Sequence, residues 1–345
     1  MGNVHEFRIV GVGASPYTRK LRAALRFRRL PFRFVVSGSK EARALPDRPL
    51  PLIPYLIAPD ADGNLAVAKS DTTPILTYLD DAYPERRLRP SDPALRLLDL
   101  LMEDFGDEWL TKCMFHYRWS KEADARCAGA YLQFSMNMQM TAEESAAASA
   151  SFSMRQIARL RVVGSNATTA PVIEASWGRF LQLLDAHIQN SPYFLGNRPG
   201  AGDFGCFGQM AMLVMNDPTP VALSRSISPR TYAWTERCED LSGLDVSDAD
   251  WIDICSPPDT LRNILSEVGR VYVPYLLANA AAVQQGGVTF QCELDGQPWE
   301  QDTVTYQAKC LVWLRDAYAA LSQADAARVD RILKGTGCEF LFSGL

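Results

Sequence analysis

The sequence predicts an α/β unit of about 85 residues followed by a long, mainly helical remainder. Three observations predict it. Strand and helix signals alternate through the first 85 residues, and an Asp-Gly turn sits between two of the later strand candidates. A polar, proline-bearing connector, Pro84–Pro93, then gives way to long helical periodicities with few strand signals.

Glu6–Val12 is rich in β-formers, and Tyr17–Arg29 follows with helical spacing through Leu21, Ala24 and Leu25. Pro31–Val36 reads as a second strand, and such a β-α-β start requires parallel pairing through a crossover. Ile53–Ala58 and Asn64–Ala68 flank the turn Pro59–Gly63, which implies an antiparallel hairpin. Asp71 then offers a cap, and Pro74 an early proline, for a helix through Ile75, Leu76, Tyr78 and Leu79. Beyond the connector, Met102, Phe105, Trp109, Cys113 and His116 step by three or four residues along one face of a long helix. Further helices are expected over 171–190, 203–215, 260–283, 303–321 and 323–334, while 141–151 fits helix or loop equally. Asp295-Gly296 centres a small β-hairpin between the last helices. The domains expected are 1–85 and 94–345, the second divided into a core, 94–250, and an extension, 251–345. Apolar residues such as Leu311, Trp313, Leu314 and Ile332 require that the extension pack on the helical core.

The chain has 345 residues, a length for about two domains, and its 47% hydrophobic and 22% charged residues exclude a mainly disordered chain. Forty acidic against thirty-five basic side chains give a net charge of −5, which argues against a nucleic-acid partner. Eight scattered cysteines without a C-x-x-C, and only three histidines, point to reduced thiols and to no metal site. Met1–His5 lacks the basic-then-apolar pattern of a signal peptide, and Glu6 breaks the myristoylation pattern. Val271–Val283, the most apolar stretch, is too short to cross a bilayer. A soluble, cytoplasmic protein with no membrane partner is expected.

Three short segments carry chemistry. In Gly13-Ala-Ser15-Pro16-Tyr17 a strand ends and a helix begins, so Ser15 sits where unpaired N–H groups and the positive end of a helix dipole meet. Such a place stabilises an anion, a thiolate included, and equally suits a plain N-cap serine. In Pro51-Leu52-Ile53-Pro54, a cis proline would turn the Ile53 N–H and C=O outward to pair with a peptide-like ligand. Lys69-Ser70-Asp71-Thr72 precedes a helix and reads by itself as a cap. Gly11-x-Gly13 lacks the third glycine of a dinucleotide fingerprint.

Together, in this order and at these spacings, the three segments resemble the thioredoxin-like N-terminal domain of the cytosolic glutathione S-transferase superfamily. The resemblance implies that Ser15 occupies the catalytic serine or cysteine position, and that Ile53-Pro54 matches the Val-Pro pair whose backbone holds the cysteinyl part of glutathione. Asp71-Thr72 matches the Glu-Ser pair that binds the γ-glutamyl end. Phe194–Phe204 is similar to the family's glycine-arginine-proline segment ahead of a buried helix, with Gly200 where the family has a Ser or Thr cap. A glycine cap should cost a few tenths of a kcal/mol. Asp107–Trp119 resembles an uncharacterised bacterial subgroup of the superfamily, and roughly the last hundred residues are additional to the usual fold.

The resemblance implies a fold of thioredoxin-like α/β domain plus all-helical domain, with an added helical extension carrying a hairpin. It implies a homodimeric transferase that joins the thiol of glutathione, as co-substrate, to a small electrophile, with Ser15 stabilising the thiolate. Tyr17, Trp109, His116 and Tyr117 are the candidate lining of the second-substrate pocket. Two departures stand out: Pro51-Leu52 replaces the family's Gly-Lys, so that Lys40, Arg43 or Arg48 would have to supply the basic contact, and Asp71 is one methylene shorter than Glu. These departures and the extension favour the alternative reading, a non-catalytic binding or assembly module on the same fold. A thiol reductase is excluded, since Ser15 holds the place of its cysteine and no cysteine precedes Cys113.

Overall fold

The computed structural model describes residues 6–60 and 62–343. Met1–His5, on which the reading of the N-terminus rests, and Ala61 of the Pro59–Gly63 turn lie outside the described residues.

The alternating signals become β1 (Phe7–Gly11), α1 (Pro16–Phe27), β2 (Phe32–Val36), a single helical turn α2 (Lys40–Arg43), β3 (Tyr55–Pro59), β4 (Leu65–Ser70) and α3 (Thr72–Ala82). The sheet order is β2-β1-β3-β4. β1 and β2 pair in parallel, as the crossover through α1 requires, while β3 runs antiparallel to both β1 and β4. This is the thioredoxin-like domain that the resemblance implies. The register carries the functional consequence: Tyr55 pairs with Val10 on one side and with Ser70 on the other. The loop after β1, the segment before β3 and the residue after β4 therefore leave the sheet at one end. Strands lie about 4.8 Å apart, so these three segments fall within roughly 10 Å of each other across the edge.

The remainder is mostly helical. α4 (Pro93–Asp104) runs through a π-helical stretch, Phe105–Leu110, into α5 (Thr111–Ser120). The expected single long helix is thus interrupted, and at the interruption a Cβ on Gly106 would lie 2.5 Å from the Cys206 amide nitrogen. Only glycine lets the backbone of the neighbouring buried helix approach so closely. Next come α6 (Glu122–Met136), α7 (Ala142–Ala158), the short α8 (Leu160–Val163), α9 (Ala170–Ile188), α10 (Ala201–Leu213), α11 (Pro218–Ile227) and α12 (Pro229–Cys238). The 141–151 stretch is helical because Thr141 and Glu144 form a reciprocal capping box. The extension comprises α13 (Asp259–Glu267), a π stretch at Val268–Tyr272, α14 (Val273–Gln284), the hairpin β5 (Thr289–Leu294) and β6 (Gln297–Asp302), α15 (Thr305–Ala319) and α16 (Gln323–Leu333). Asp295 and Gly296 both have positive φ, the conformation a two-residue hairpin turn requires.

One apolar core runs from Phe7 of β1 through Phe207 and Met210 of α10 to Leu311, Leu314 and Ile332 of the extension. Every residue of α10 is buried, and α1 packs along it. No helix among the described residues is long and apolar enough to cross a membrane.

The start of α10 corrects one expectation. Gly200 does not leave the helix weakly capped, because Asp99 of α4 accepts hydrogen bonds from the Ala201 and Gly202 amides at 3.1 and 2.8 Å. Asp203 accepts from the Gly200 and Phe194 amides at 2.9 and 3.0 Å. The cap comes from another helix, and it needs glycine at 200: a Cβ there would lie 2.2 Å from Asp99 Oδ1. Gly200→Ser, which restores the family's cap residue, should therefore lower stability here by about 1–3 kcal/mol. Asp99→Ala should cost about 1–2 kcal/mol. The double variant, in which serine gains room to cap, should lose clearly less than the sum, as read from urea unfolding. Strictly additive losses would show that the two positions do not share the cap.

Candidate functional site

Ser15 is the N-cap of α1, with extended backbone and Pro16 in the first turn. Its Oγ lies 3.4 Å from the Thr18 amide, a long contact, and its own N–H donates to the Val12 carbonyl at 2.9 Å. The hydroxyl proton is thereby left to be donated elsewhere. The loop is fixed from both sides: Arg19 Nε donates to the Gly13 carbonyl, and the buried Arg118 reaches from α5 to the Ala14 carbonyl at 3.1 Å while pairing with Asp217.

Ile53–Pro54 is a cis peptide bond. Pro54 is buried and Ile53 half-buried. Neither the N–H nor the C=O of Ile53 has a hydrogen-bond partner among the described residues. Arg48 donates to the adjoining Leu52 carbonyl at 3.4 Å, so a basic group stands beside this segment, whereas Lys40 and Arg43 are exposed on α2.

Asp71 precedes α3 with φ +73°, a region that L-residues enter at a cost of order 1–3 kcal/mol. It makes no side-chain bond to the first turn of the helix it precedes. Its Oδ2 instead accepts from the hydroxyl of Tyr306 on α15, 235 positions along the chain, at 2.7 Å. Thr72 is buried beside it, and Thr73 Oγ1 donates to Glu103 Oε1 at 3.0 Å.

Beneath these segments lies a buried ion cluster. Lys20, 0% exposed on α1, stands 2.8 Å from Glu103 Oε1 and 2.5 Å from Asp107 Oδ2. Burial works against both charges, yet the two acids hold Lys20 above its ordinary value, and Lys20 with Arg89 holds Glu103 below its own. For Asp107 burial outweighs Lys20 and pushes the carboxyl up to about 7. Asp104 and Glu108 have no direct cation contact among the described residues. They line a small cavity of about 20 Å³ with Thr73, Tyr306, Cys310 and Trp313. Their partners are neutral donors: Tyr272 Oη on Asp104 at 2.6 Å and Gln307 Nε2 on Glu108 at 2.8 Å. Burial therefore wins and pushes each carboxyl up to about 7.

The four residues expected to line a second-substrate pocket do not share one cavity. The Tyr17 hydroxyl donates to the Asp107 carbonyl at 2.8 Å and contacts Thr111, so it is committed to the helical domain. Trp109 is wholly buried, its indole N–H on Ser176 and its ring against Tyr275 and Trp299. It is a core residue, because the π stretch and the extension enclose it. His116 is bonded through both ring nitrogens, to Ser165 at 2.8 Å and Glu174 at 3.1 Å, and Tyr117 is buried with its ring edge on that imidazole. Burial lowers the His116 pKa. Of the four, only His116 lines the large cavity of about 1050 Å³, whose walls are residues 116–170, including Trp119, Phe134, Ser149 and Ile157. At 100° per residue, His116 and Ser120 lie on the side of α5 opposite Arg118, the residue that reaches the Ser15 loop. The cavity therefore opens on the far side of α5.

Residues 10–87 match the family model of the glutathione S-transferase N-terminal domain. No curated protein matches the chain. Among solved structures, the chain is similar to the tau class glutathione S-transferase from mango, Mangifera indica (18% identity, 67% of this chain and 87% of that one, TM-score 0.40). It is also similar to the β-etherase LigF from Sphingobium sp. strain SYK-6 (18% identity, 67% and 93%, TM-score 0.47). A rice glutathione S-transferase solved in complex with glutathione matches at 20% identity, over 72% of this chain and 93% of that one, with a TM-score of 0.42.

The raised carboxyls make stability depend on pH. In the unfolded chain such groups ionise near pH 4, whereas Asp104 and Glu108 keep their protons in the native state up to about 7. Over that window the native state binds more protons, so stability should fall as pH rises from about 4.5 to 7, and more gently to about 8, where Asp99 is the last of these acids to ionise. Asp104→Asn with Glu108→Gln should flatten this slope without abolishing it, because burial also pushes Asp99 to about 8 and Asp203 to about 7. Urea midpoints across the range read the effect, and a slope unchanged in the double variant would place the titration elsewhere.

Proposed function

We propose that the protein, whose residues 10–87 match the glutathione S-transferase N-terminal domain, is a glutathione transferase-like enzyme that joins the glutathione thiol to a small electrophile. The observation that carries the reading is the shared sheet edge. Ser15 follows β1, Ile53, whose backbone has no partner among the described residues, precedes β3, and Asp71 follows β4, and these strands end side by side within roughly 10 Å. An extended tripeptide spans about the same length.

In this reading Ile53 pairs with the cysteinyl residue in β fashion, Pro54 shapes its segment, and Arg48 stands in for the missing lysine. Asp71 takes the ammonium of the γ-glutamyl group, and the uncapped first turn of α3 at Thr72 takes its carboxylate. Ser15 donates its hydroxyl to the sulfur, and the N-terminal dipole of α1 adds to that field. A free thiol with a pKa of about 8.5 is only a few per cent thiolate at neutral pH. Stabilising the anion therefore raises the reactive fraction directly. The sulfur lone pair forms the new C–S bond, and the leaving group departs with its electron pair. The protein acts in the cytoplasm, as a homodimer. The alternative, a non-catalytic module on the same fold, draws its support from Ser15 also serving as the cap of α1.

Replacing Ser15 by Ala should lower turnover by about 10- to 100-fold, the scale of one or two charge-assisted hydrogen bonds. Glutathione affinity should change much less. The thiolate absorbance of bound glutathione against pH should shift upward in Ser15→Ala; superimposable titrations with unchanged turnover would favour the module reading. Light scattering at micromolar concentration should give twice the 38.3 kDa of one chain, and a monomer mass would remove the dimer.

A further inference from the structure

We infer that the C-terminal extension completes the glutathione site, with Tyr306 as a positioning residue for Asp71. The inference rests on the glutathione reading of Asp71 and goes beyond it, because it brings into the site a helix outside residues 10–87. The observation is the 2.7 Å hydrogen bond from Tyr306 Oη to Asp71 Oδ2.

Three features around this bond give it a role. Asp71 is held at φ +73° and does not cap α3, and among the described residues no hydrogen bond from its own domain holds its carboxylate. No cation pairs with it among the described residues. The Tyr306 bond occupies one oxygen and leaves Oδ1 for an ammonium group. Tyr306 is itself anchored: its ring stands edge-on to Trp313 at 6.0 Å, and one residue on, Gln307 binds Glu108. Glu103, Asp104, Asp107 and Glu108 border the cavity beneath it. Burial and the nearby Asp71 charge both push the phenol well above its ordinary pKa, so it stays a neutral donor. A neutral donor orients the carboxylate without cancelling the charge the ligand needs. Tyr306 is 37% exposed, at the rim of the site.

The test is titration calorimetry of glutathione into the full-length chain, with thiolate absorbance of the bound thiol as second readout. Tyr306→Phe should weaken binding about 10- to 150-fold, the value of one hydrogen bond to a charged group. The pKa of the bound thiol and the melting temperature should not move, since Ser15 and the packing of α15 are untouched. In an Asp71→Asn background the same substitution should cost little more, because the two residues act as a unit. Wild type that does not bind glutathione would overturn the glutathione reading and this inference with it. Equal binding by wild type and Tyr306→Phe would overturn the inference alone. Tighter binding by Tyr306→Phe would do the same, showing that the hydroxyl competes with the ligand.

Discussion

A lysine ammonium with no solvent exposure ties the α/β domain to the helices. Lys20 follows Ser15 by five residues on α1, and its acidic partners among the described residues, Glu103 and Asp107, come from α4 and the π stretch. A buried pair of this kind contributes little net stability, yet removing one partner costs about 3–5 kcal/mol because the other charge is left uncompensated. The domain cannot shift on the helices without incurring that penalty. Thr73, in the first turn of α3, bonds to the same Glu103 oxygen that holds Lys20. The two helix starts that carry Ser15 and Asp71 are therefore registered against one carboxylate. The spacing of the candidate site is set from below by charge rather than by the sheet alone.

Close backbone packing makes that register rigid. α10 is buried along its whole length, and a Cβ on its Gly208 would lie 2.7 Å from the Pro16 carbonyl at the start of α1. Gly106 admits α10 against the π stretch from the other side. At such separations helices interlock through backbone and have little freedom to slide. Arg118 adds a polar fixture by holding the Ala14 carbonyl while paired to Asp217. Ser15 thus stands on a loop whose neighbours on both sides are immobilised by the helical part, as preorganised stabilisation of an anion demands.

What was legible in the sequence is what depends on local order. Ser15, Ile53-Pro54 and Asp71 could be read because each is defined by the strand or helix end beside it. The Asp295-Gly296 hairpin and the helix at Thr305–Ala319 follow from turn chemistry and periodicity. Relations between distant segments were not legible. The cap of α10 belongs to Asp99, and Asp71 is bonded by Tyr306; no spacing rule joins such positions. Trp109 shows a second limit. Apolar residues at three- and four-residue steps mark a buried face, but the pattern does not tell a core from a cavity wall, and here the extension and α9 close over it. The helices α6, α11 and α12 do not stand out in the sequence, and each buries only a minority of its residues.

The extension meets its carboxylates with neutral donors, and the outcome at each depends on burial. Tyr272 serves Asp104, Gln307 serves Glu108 and Tyr306 serves Asp71. A cation would not by itself decide the outcome, since burial pushes Asp107 up to about 7 even beside Lys20. A hydroxyl or amide satisfies an oxygen without offsetting a full charge. At Asp104 and Glu108, under α15, desolvation then prevails and the acids keep their protons to about 7. Asp71 stands half-buried on the rim, and no cation contacts it among the described residues. One helix thus seals uncharged acids beneath it while leaving at its edge a carboxylate that is oriented and free to meet a cation. That arrangement lets an added segment reach the rim of the candidate site without placing a cation on its acid.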